Sequence, residues 1–478
     1  KNTLQADSES RMQVVAYFDD NPMVDGKTLH NIKVYQIEES CFKRVIEKYG
    51  VKKAIIAIQK ISASRKKEIA DLCLAHEVTP MVVPAVDNWI NNTLHVRDIK
   101  NMRIEDLLQR EPILLGKQNV DRKLAGKTVM VTGAAGSIGS ELARQIASFK
   151  PARLLLIDVA ESPLVDIELE ILAKLPADAL VPCVADIRDK TGMENIFATY
   201  RPQVVFHAAA YKHVPAMERQ PHQAVAVNVL GTRNLANLAV DYEVERFVMV
   251  SSDKAVNPTN VMGASKRIAE IYAQALNRAR HNTSTRFITT RFGNVLGSNG
   301  SVVPLFRRQI EAGGPITVTH PEITRFFMTI PEACQLVLEA GAMGKGGEIF
   351  LFDMGKPVKI VELAKKMIRL YGLVPEKDII ISYSGLRPGE KLYEELLSKS
   401  ENTRETYHPK IMIASVRRYE YEDINQQLGW MEALLGKKDE EDIVGLMKVI
   451  VPEFISQCSR FEALDKKKKL KLNGSSRA

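Results

Sequence analysis

The chain has 478 residues, of which 45% are hydrophobic and 26% charged, which is enough for two or three soluble domains. Its five cysteines form no Cys-x-x-Cys or Cys-His cluster, so neither a disulfide framework nor a metal site is expected. The net charge is +8, but five lysines in the tail at 466–471 account for much of it, so no nucleic-acid partner is expected.

Residues 1–98 are predicted to form a partial Rossmann-like domain. Short apolar runs at 14–19, 54–58 and 81–84 and an amphipathic run at 64–76 are typical of parallel βαβ units. The first run ends at Asp19 and Asp20 without a preceding glycine-rich loop, so a structural or regulatory role is expected rather than a working cofactor site.

A linker at 99–120 is predicted to lead into a second Rossmann unit, which opens with a strand, three spaced glycines and a helix. Gly133 permits the tight turn, Gly136 lets a diphosphate approach the backbone, and Gly139 lets the helix pack on the strand. The next strand ends at Asp158, 19 residues past Gly139, the spacing of an acid that binds the adenosine ribose. An acid there repels a 2′-phosphate, so NAD is expected rather than NADP.

The fold class predicted for 121–400 is α/β, a doubly wound parallel sheet with a small substrate lobe at 291–400. Ligands of such sheets bind at the carboxyl ends of the strands. The residues expected to bind the cofactor lie at these ends or on the adjoining helices, and they are Gly133, Gly136, Ser137, Ile138, Gly139, Asp158, Asp186, Ile187, Ala208, Ala209, Lys212 and Lys266.

The segment from Val250 to Lys266 carries the candidate chemistry. It places a hydroxyl, a carboxyl and an amine in a row, as Ser252, Asp253 and Lys254. Such a triplet is more often a capped turn on the surface. Its position between a strand and a helix, on the carboxyl side of the sheet, favours a catalytic set instead.

Six motifs in order carry a resemblance to a known family: GAAGSIG (133–139), HAAAYKHVP (207–215), SSDKAVNPTNVMGASK (251–266), RFGNVLGSNGSVVP (291–304), TRFFMT (324–329) and RPGEK (387–391). From about Gly126 to Leu396 the chain resembles the CapD/PglF-type UDP-N-acetylglucosamine 4,6-dehydratases, extended short-chain dehydrogenases. The superfamily's usual Tyr-x-x-x-Lys pair is here Met262 and Lys266, which resembles the large, membrane-anchored branch that retains configuration at C5.

The resemblance implies NAD-dependent conversion of UDP-N-acetylglucosamine to UDP-2-acetamido-2,6-dideoxy-hexos-4-ulose, for bacterial surface polysaccharide or glycoprotein glycans. Oxidation at C4 makes the C5 proton acidic, and the hydride then returns to C6. Asp253 is implied to protonate the C6 hydroxyl, and Lys254 to take the C5 proton. Ser252 would hydrogen-bond the C4 hydroxyl, and Lys266 would hold the nicotinamide ribose. As a base, Lys254 needs a lowered pKa, which burial, Lys266 and the nicotinamide ring would provide.

The group that accepts the C4 hydroxyl proton is left open, because the thioether of Met262 cannot take it. The candidates are Asp253 through Ser252, an ordered water, and Tyr211.

Substrate contacts are predicted from residues in the later motifs. A guanidinium matches phosphate oxygens bidentately, so Arg325 and Arg387 are expected to bind the UDP diphosphate. Glu390 is expected at the uridine ribose. The remaining residues are Asn294 and Ser298 as pocket lining, Lys212 at the cofactor or sugar, and His207, His213 and His320 as structural histidines.

Two alternatives stay open: a UDP-sugar 4-epimerase, which shares the fold and cofactor, and a non-catalytic NAD-binding regulatory protein. Residues 401–478 are predicted to be a helical segment and a basic tail that pack on the core or on a partner subunit, and a homodimer is expected by fold analogy. The missing initial methionine indicates a soluble fragment of a longer protein, which the resemblance would anchor at the cytoplasmic face of the inner membrane.

Overall fold

The computed structural model describes residues 12–58, 61–83, 96–108, 116–282, 284–395, 402–437 and 439–466. The tail beyond 466 and the end of the apolar run at Pro84 lie outside the described residues. Within the described ranges, no helix is both long and apolar enough to cross a membrane. The chain divides into two compact units, one drawn from Lys1–Glu111, Val302–Val318 and Ile360–Tyr383, and the other from Pro112–Ser301, Thr319–Lys359 and Ser384–Ala478.

The strands are short and number 21 in the described residues. In chain order they are β1 (Tyr17–Asp19), β2 (Thr28–Leu29), β3 (Ile32–Gln36), β4 (Lys53–Ile56), β5 (Thr79–Val82), β6 (Lys100–Asn101), β7 (Thr128–Thr132), β8 (Arg153–Asp158), β9 (Leu180–Val184), β10 (Val204–His207), β11 (Arg246–Val250), β12 (Arg286–Arg291), β13 (Asn294–Val295), β14 (Ile316–Val318), β15 (Thr324–Arg325), β16 (Phe327–Met328), β17 (Ile349–Phe352), β18 (Val358–Lys359), β19 (Ile381–Tyr383), β20 (Asn402–Glu405) and β21 (Ile411–Ser415).

The α-helices of the same residues alternate with most of these strands. They are α1 (Glu39–Tyr49), α2 (Ala63–Ala75), α3 (Ile104–Leu108), α4 (Lys117–Leu124), α5 (Ser137–Ala147), α6 (Glu161–Leu172), α7 (Lys190–Tyr200), α8 (Val214–Arg219), α9 (Pro221–Ala224), α10 (Thr232–Asp241), α11 (Val261–Arg278), α12 (Val302–Glu311), α13 (Ile330–Met343), α14 (Ile360–Leu370), α15 (Tyr421–Lys437) and α16 (Glu440–Ile450). A π-helical stretch, Val225–Gly231, joins α9 to α10.

The first unit contains the predicted parallel pairing in small sheets. β4, α2 and β5 form one βαβ unit with parallel strands, and β6 adds an antiparallel edge. A separate sheet has the order β1-β3-β2. Asp20, just after β1, pairs with Arg65 at the start of α2 (Nε to Oδ2, 3.1 Å). The side chain of Arg65 is therefore bonded to the carboxylate that a ribose-binding site would need to keep available.

The second unit is built on a nine-stranded sheet with the order β20-β21-β17-β12-β11-β10-β7-β8-β9. The seven strands from β17 to β9 are parallel, and β21 and β20 extend the edge antiparallel. From β7 the chain first adds β8 and β9 on one side of the strand and then continues with β10 on the other side. The topological switch point of the sheet therefore lies between β7 and β10. The predicted doubly wound parallel fold is confirmed.

Alternating residues of β7 show why this strand is central. Met130 joins the apolar cluster on one face of the sheet, and Val129 and Val131 join the cluster on the other face. Three consecutive apolar residues in the middle of a strand are typical of a parallel sheet that is covered by helices on both faces.

The C-terminal prediction was wrong at its beginning. The segment expected to be helical over 401–478 opens with β20 and β21, which complete the main sheet. The helical pattern starts only at α15 and continues in α16. Both helices pack on α11 through Ile424, Leu428 and Met447, so 16 consecutive residues of α11 are buried within this one chain.

The division into units differs from the sequence-based boundaries. Residues 302–318 and 360–383, which fall inside the predicted substrate lobe, group with the first unit, where β14 pairs with β19. The predicted linker contains β6, which pairs with β5. The domain boundaries drawn from the sequence stay a prediction.

Candidate active site

The Ser252–Lys254 triplet lies directly after β11, at the carboxyl edge of the main sheet. Ser252 caps a short 3-10 turn, Asp253–Ala255, and its hydroxyl accepts a hydrogen bond from the Lys254 backbone N–H (3.2 Å). The triplet is thus a capped turn, but a buried one, because Asp253 is only 1% exposed. The Asp253 backbone N–H donates to the carbonyl of Phe292 (3.1 Å), which ties the turn to the residues after β12.

The Asp253 carboxylate lies between the two groups predicted to work with it. Its Oδ1 accepts from the Ser252 hydroxyl (2.9 Å) and from the Lys254 ammonium (3.0 Å). Its Oδ2 is buried and has no hydrogen-bond partner among the described residues. An unsatisfied buried carboxylate oxygen is costly, so this atom fits a ligand hydroxyl.

The side chain of Lys254 is held by three groups. Besides Asp253, its Nζ donates to the Asn294 side-chain oxygen (3.0 Å) and lies 3.4 Å from Oε1 of Glu394. Asn294 comes from β13 and is here a direct partner of the lysine rather than only a lining residue. Glu394 in turn lies 3.6 Å from Nε of Arg325.

The charges of this cluster oppose the sequence-based expectation for Lys254. Burial lowers the pKa of the Lys254 ammonium, but the Asp253 and Glu394 carboxylates outweigh burial and raise the pKa above its usual value. Burial also raises the pKa of Asp253, partly opposed by Lys254. These carboxylates favour the ammonium form of Lys254, so the side chains around it oppose the expected lowering of its pKa.

Arg325 was predicted to bind a diphosphate, and its surroundings argue against that role. Its Nη1 donates to the carbonyls of Thr324 (2.7 Å) and Leu392 (3.4 Å), and its Nη2 donates to Glu390 (3.2 Å). The residue is 7% exposed. A buried guanidinium that already faces two carboxylates arranges those carboxylates, whereas Arg387, the other arginine predicted to bind the diphosphate, is exposed.

The RPGEK motif forms a loop against the start of α11. Gly389 has a φ of +76° and its carbonyl accepts from Thr259 (3.0 Å) and from the Asn260 side chain (2.9 Å). Asn260 also caps α11 by accepting from the Gly263 N–H (2.7 Å). Glu390 bonds Arg325 with one oxygen and the Arg387 backbone N–H with the other (3.0 Å), so it is a loop-forming residue as well as the predicted ribose contact.

Helix α11 brings Met262 and Lys266 beneath the triplet. Met262 is 3% exposed, so its side chain is packed in the core. Lys266 is buried, and burial lowers its pKa to about 8, opposed by the Glu270 carboxylate. A lowered pKa in a buried lysine of this segment agrees with a position next to a cofactor rather than a solvated role.

The glycine loop has the geometry that a dinucleotide requires. Gly133 has a φ of +68°, and a Cβ built there would lie 2.6 Å from the Ala209 backbone nitrogen. A Cβ on Gly139 would lie 2.0 Å from the Gly133 carbonyl oxygen. Gly136 is the N-cap of α5 and contributes no capping side chain, so the first helical N–H groups face the switch point. The residues present fit NAD.

The other predicted cofactor residues surround this loop, with two qualifications. Asp158 accepts from the Ala135 and Ala160 N–H groups (both 2.9 Å), so it orders the loop with lone pairs left for a ribose. Asp186 is held by the Arg188 side chain (Nη2 to Oδ2, 2.6 Å), so an adenine contact would have to share it.

The remaining predicted residues fall into two groups. Ile187 is buried against Gly231, and Ile138 and Ala208 pack at the edge of the apolar core. The Ser298 hydroxyl donates to the Val295 carbonyl (3.1 Å). The Ser137 hydroxyl accepts a hydrogen bond from the Asn299 N–H (3.1 Å). Lys212, His213 and Tyr211 are exposed after β10, and His320 accepts from the Glu322 N–H (3.1 Å). His207 is fully buried between the hydroxyls of Thr132 (2.8 Å) and Thr232 (2.9 Å).

Glu394 is the functional candidate that the sequence-based reading missed. It lies three residues past the RPGEK motif, in a run that reads as a charged helix face. Nothing in that pattern predicts burial. The one signal of its burial is its spacing of three residues from Lys391, which is also buried.

Comparison with known proteins follows the same segments. The family described as "Polysaccharide biosynthesis protein" matches residues 129–416. The capsular polysaccharide biosynthesis protein CapD of Staphylococcus aureus is 48% identical over 414 residues, 86% of this chain and 68% of that protein. A UDP-glucose 4-epimerase of Rickettsia rickettsii is 36% identical over 282 residues, 58% of this chain and 79% of the epimerase. Among solved structures, Pen from Bacillus thuringiensis is 33% identical with a TM-score of 0.57, covering 62% of this chain and 90% of that one.

Proposed function

The chain belongs to the polysaccharide biosynthesis protein family, and we propose that within it the protein is a UDP-N-acetylglucosamine 4,6-dehydratase that uses bound NAD and retains configuration at C5. One observation carries the proposal. A hydroxyl, a carboxylate and an amine form one hydrogen-bonded chain, Ser252–Asp253–Lys254, around a buried carboxylate oxygen that the described residues do not satisfy. Oxidation alone needs no such acid–base pair beside the hydroxyl.

When bound, NAD would supply the hydride chemistry that side chains lack, at C4 and then at C6. The groups that would hold it are the Gly133 loop, the carboxylate of Asp158 for the adenosine ribose, and Lys266 for the nicotinamide ribose. Each of them lies at the carboxyl edge of the main sheet in the same unit as the triplet.

Ser252 and Asp253 carry the C4 hydroxyl proton to the leaving group at C6. The Ser252 hydroxyl accepts the C4 hydroxyl proton and passes its own proton to Oδ1 of Asp253, 2.9 Å away. This route is favoured over Tyr211, whose side chain is exposed. Asp253, now a carboxylic acid, protonates the departing C6 hydroxyl, so the C4 proton leaves in the expelled water.

Lys254 takes the C5 proton, exchanges it with solvent, and later delivers a proton to the same face of C5, which explains retention. It must enter this step as the neutral amine. Protonation of Asp253 removes one of the two negative charges that raise the pKa of Lys254. The first proton transfer therefore prepares the second.

At the nucleotide end, we assign the exposed Arg387 to the diphosphate and Glu390 to the uridine ribose. The contact of Glu390 with the Arg387 N–H keeps the two residues in one turn. The loop is fixed to α11 through Gly389, so the nucleotide site and the catalytic turn belong to one packed structure.

Product identification tests the proposal. The protein is incubated with UDP-N-acetylglucosamine, and the sugar nucleotide is followed by mass spectrometry and proton NMR. Loss of one water with a C4 ketone supports the dehydratase. The similarity to a UDP-glucose 4-epimerase favours one second candidate, which would leave the mass unchanged and invert C4.

The homodimer and an association with the cytoplasmic face of a membrane stay proposals. Helix α11 is already covered by α15 and α16 of its own chain, so a partner subunit would use a different surface. Sedimentation equilibrium of the purified chain tests the dimer.

A further inference from the structure

We propose that Glu394 is a positioning residue of the dehydration, holding the amino group of Lys254 at the reacting centre and keeping a negative charge beside it after Asp253 has been neutralised. The inference rests on the proposed function and adds a residue that neither the motifs nor the chemistry of the triplet required. It concerns a residue that acts through Lys254 rather than on the substrate.

The geometry places Glu394 at the centre of the cluster. Its Oε1 lies 3.4 Å from Nζ of Lys254 and 3.6 Å from Nε of Arg325. Its side chain is 3% exposed. Its Oε2 is buried and, like Oδ2 of Asp253, has no hydrogen-bond partner among the described residues. A buried carboxylate oxygen left without a partner is costly, which points to a role of Glu394 beyond packing.

A purely structural role does not account for this carboxylate. Arg325 already has Glu390 at 3.2 Å and two backbone carbonyls, so it does not need a second buried anion. Burying a carboxylate is expensive unless it is paired and hydrogen-bonded. Among the described residues, Asp253 and Glu394 are the two carboxylates that form an ion pair with Lys254. Because Asp253 loses its charge during the reaction, Glu394 is the one that keeps a negative charge beside Lys254.

The charged groups around the pair set the direction of the effect. Lys254 faces the carboxylates of Asp253 and Glu394 and the guanidinium of Arg325. Burial raises the pKa of Glu394, but Lys254, Arg325 and Lys391 outweigh it and lower the pKa below its usual value. Glu394 therefore stays ionised, and its removal takes one negative charge from beside Lys254.

The test is the pH dependence of kcat/KM for Glu394→Gln. With the charge gone, Lys254 loses its proton more easily, so the ascending limb moves to lower pH, by roughly one to two units for a charge at this distance. The less basic amine also lowers kcat on the plateau by about tenfold. In protein labelled with 13Cε-lysine, the Lys254 resonance, assigned with Lys254→Met, should titrate at lower pH in the same variant.

Glu395→Gln is the matched control, because Glu395 is the next residue, is half exposed and forms its ion pair with Lys391 rather than with Lys254. Its profile should match the wild type. If Glu394→Gln does not fold, Glu394→Asp replaces it, since withdrawing the carboxylate by one methylene shifts the limb in the same direction by less. An active wild type whose limb and lysine titration are unmoved by both Glu394 variants overturns the inference. A wild type that dehydrates no UDP-sugar refutes the proposed function instead.

Discussion

Replacement of Gly263 by alanine tests how closely α11 must approach the catalytic turn. Gly263 lies in the first turn of α11, and a Cβ there would sit 2.1 Å from the backbone oxygen of Lys254. Ordinary contact begins at 3.4 Å, so the turn that carries Lys254 must retreat by about 1.3 Å. Displacement of a reacting group by about 1 Å costs on the order of 100-fold in rate.

The expected effect on stability is small by comparison. Glycine to alanine inside a helix favours folding by about 1 kcal/mol, whereas overpacking costs about 1–3 kcal/mol. We therefore expect Gly263→Ala to fold with a net loss of at most about 2 kcal/mol, and to lose about 100-fold in kcat with UDP-N-acetylglucosamine. Urea denaturation and initial rates measure the two quantities separately.

Gly429 provides the matched control. It lies in the interior of α15, is exposed, and a Cβ there meets nothing within 4 Å. Gly429→Ala should keep full activity and gain up to about 1 kcal/mol in stability. If Gly263→Ala keeps its kcat within twofold of the wild type, the close approach of α11 does not position Lys254 and the reasoning fails.

Three further predictions follow from the same geometry. Gly133→Ala should lose bound NAD, because its Cβ would lie 2.6 Å from the Ala209 backbone nitrogen. Gly126 has the same φ of +68° and a Cβ there would meet nothing within 4 Å, so Gly126→Ala should keep bound NAD. An equal NAD content of the two purified variants contradicts the account. Burial lowers the pKa of His207 to about 3, so the folded protein binds its proton less well than the unfolded chain, and this contribution to stability is lost as pH falls below about 6.5. From pH 7 to 5 the wild type should therefore lose about 2 kcal/mol more unfolding free energy than His207→Asn, and parallel losses in urea denaturation would sink the idea. Asp253→Asn should fall at least about 100-fold both in water loss and in reduction of NAD, followed as absorbance at 340 nm in a single turnover, because the same carboxylate accepts the C4 proton and protonates the C6 hydroxyl; unimpaired water loss excludes Asp253 as the acid.

Much of the main fold follows from local pattern. The run at 129–131 is apolar because β7 is buried on both faces, and glycines at 133, 136 and 139 then mark the turn into α5. Sequence also places Asp158 at the end of β8. These features are predictable because each depends on residues within one βαβ unit.

The features that sequence did not predict depend on contacts between distant segments. β21 joins the sheet by pairing with β17, which lies some 60 residues earlier in the chain. The five residues of β21 give a weaker local pattern than the long helical pattern that follows them, so the whole segment was predicted to be helical. The pKa of Lys254 was expected to fall because burial is visible in the sequence context. The carboxylates of Asp253 and of Glu394, which lies 140 positions further along the chain, together reverse that direction, and only the folded structure brings Glu394 within 3.4 Å.

The central claim is that Asp253 and Lys254 together remove water across C5 and C6. Its most direct test is conversion of UDP-N-acetylglucosamine in D2O, followed by mass spectrometry and proton NMR. The account predicts loss of one water, a single deuterium at C5 with configuration retained, none at C6, and no accumulating NADH. A product of unchanged mass with C4 inverted, or a dehydrated product without deuterium at C5, would contradict it.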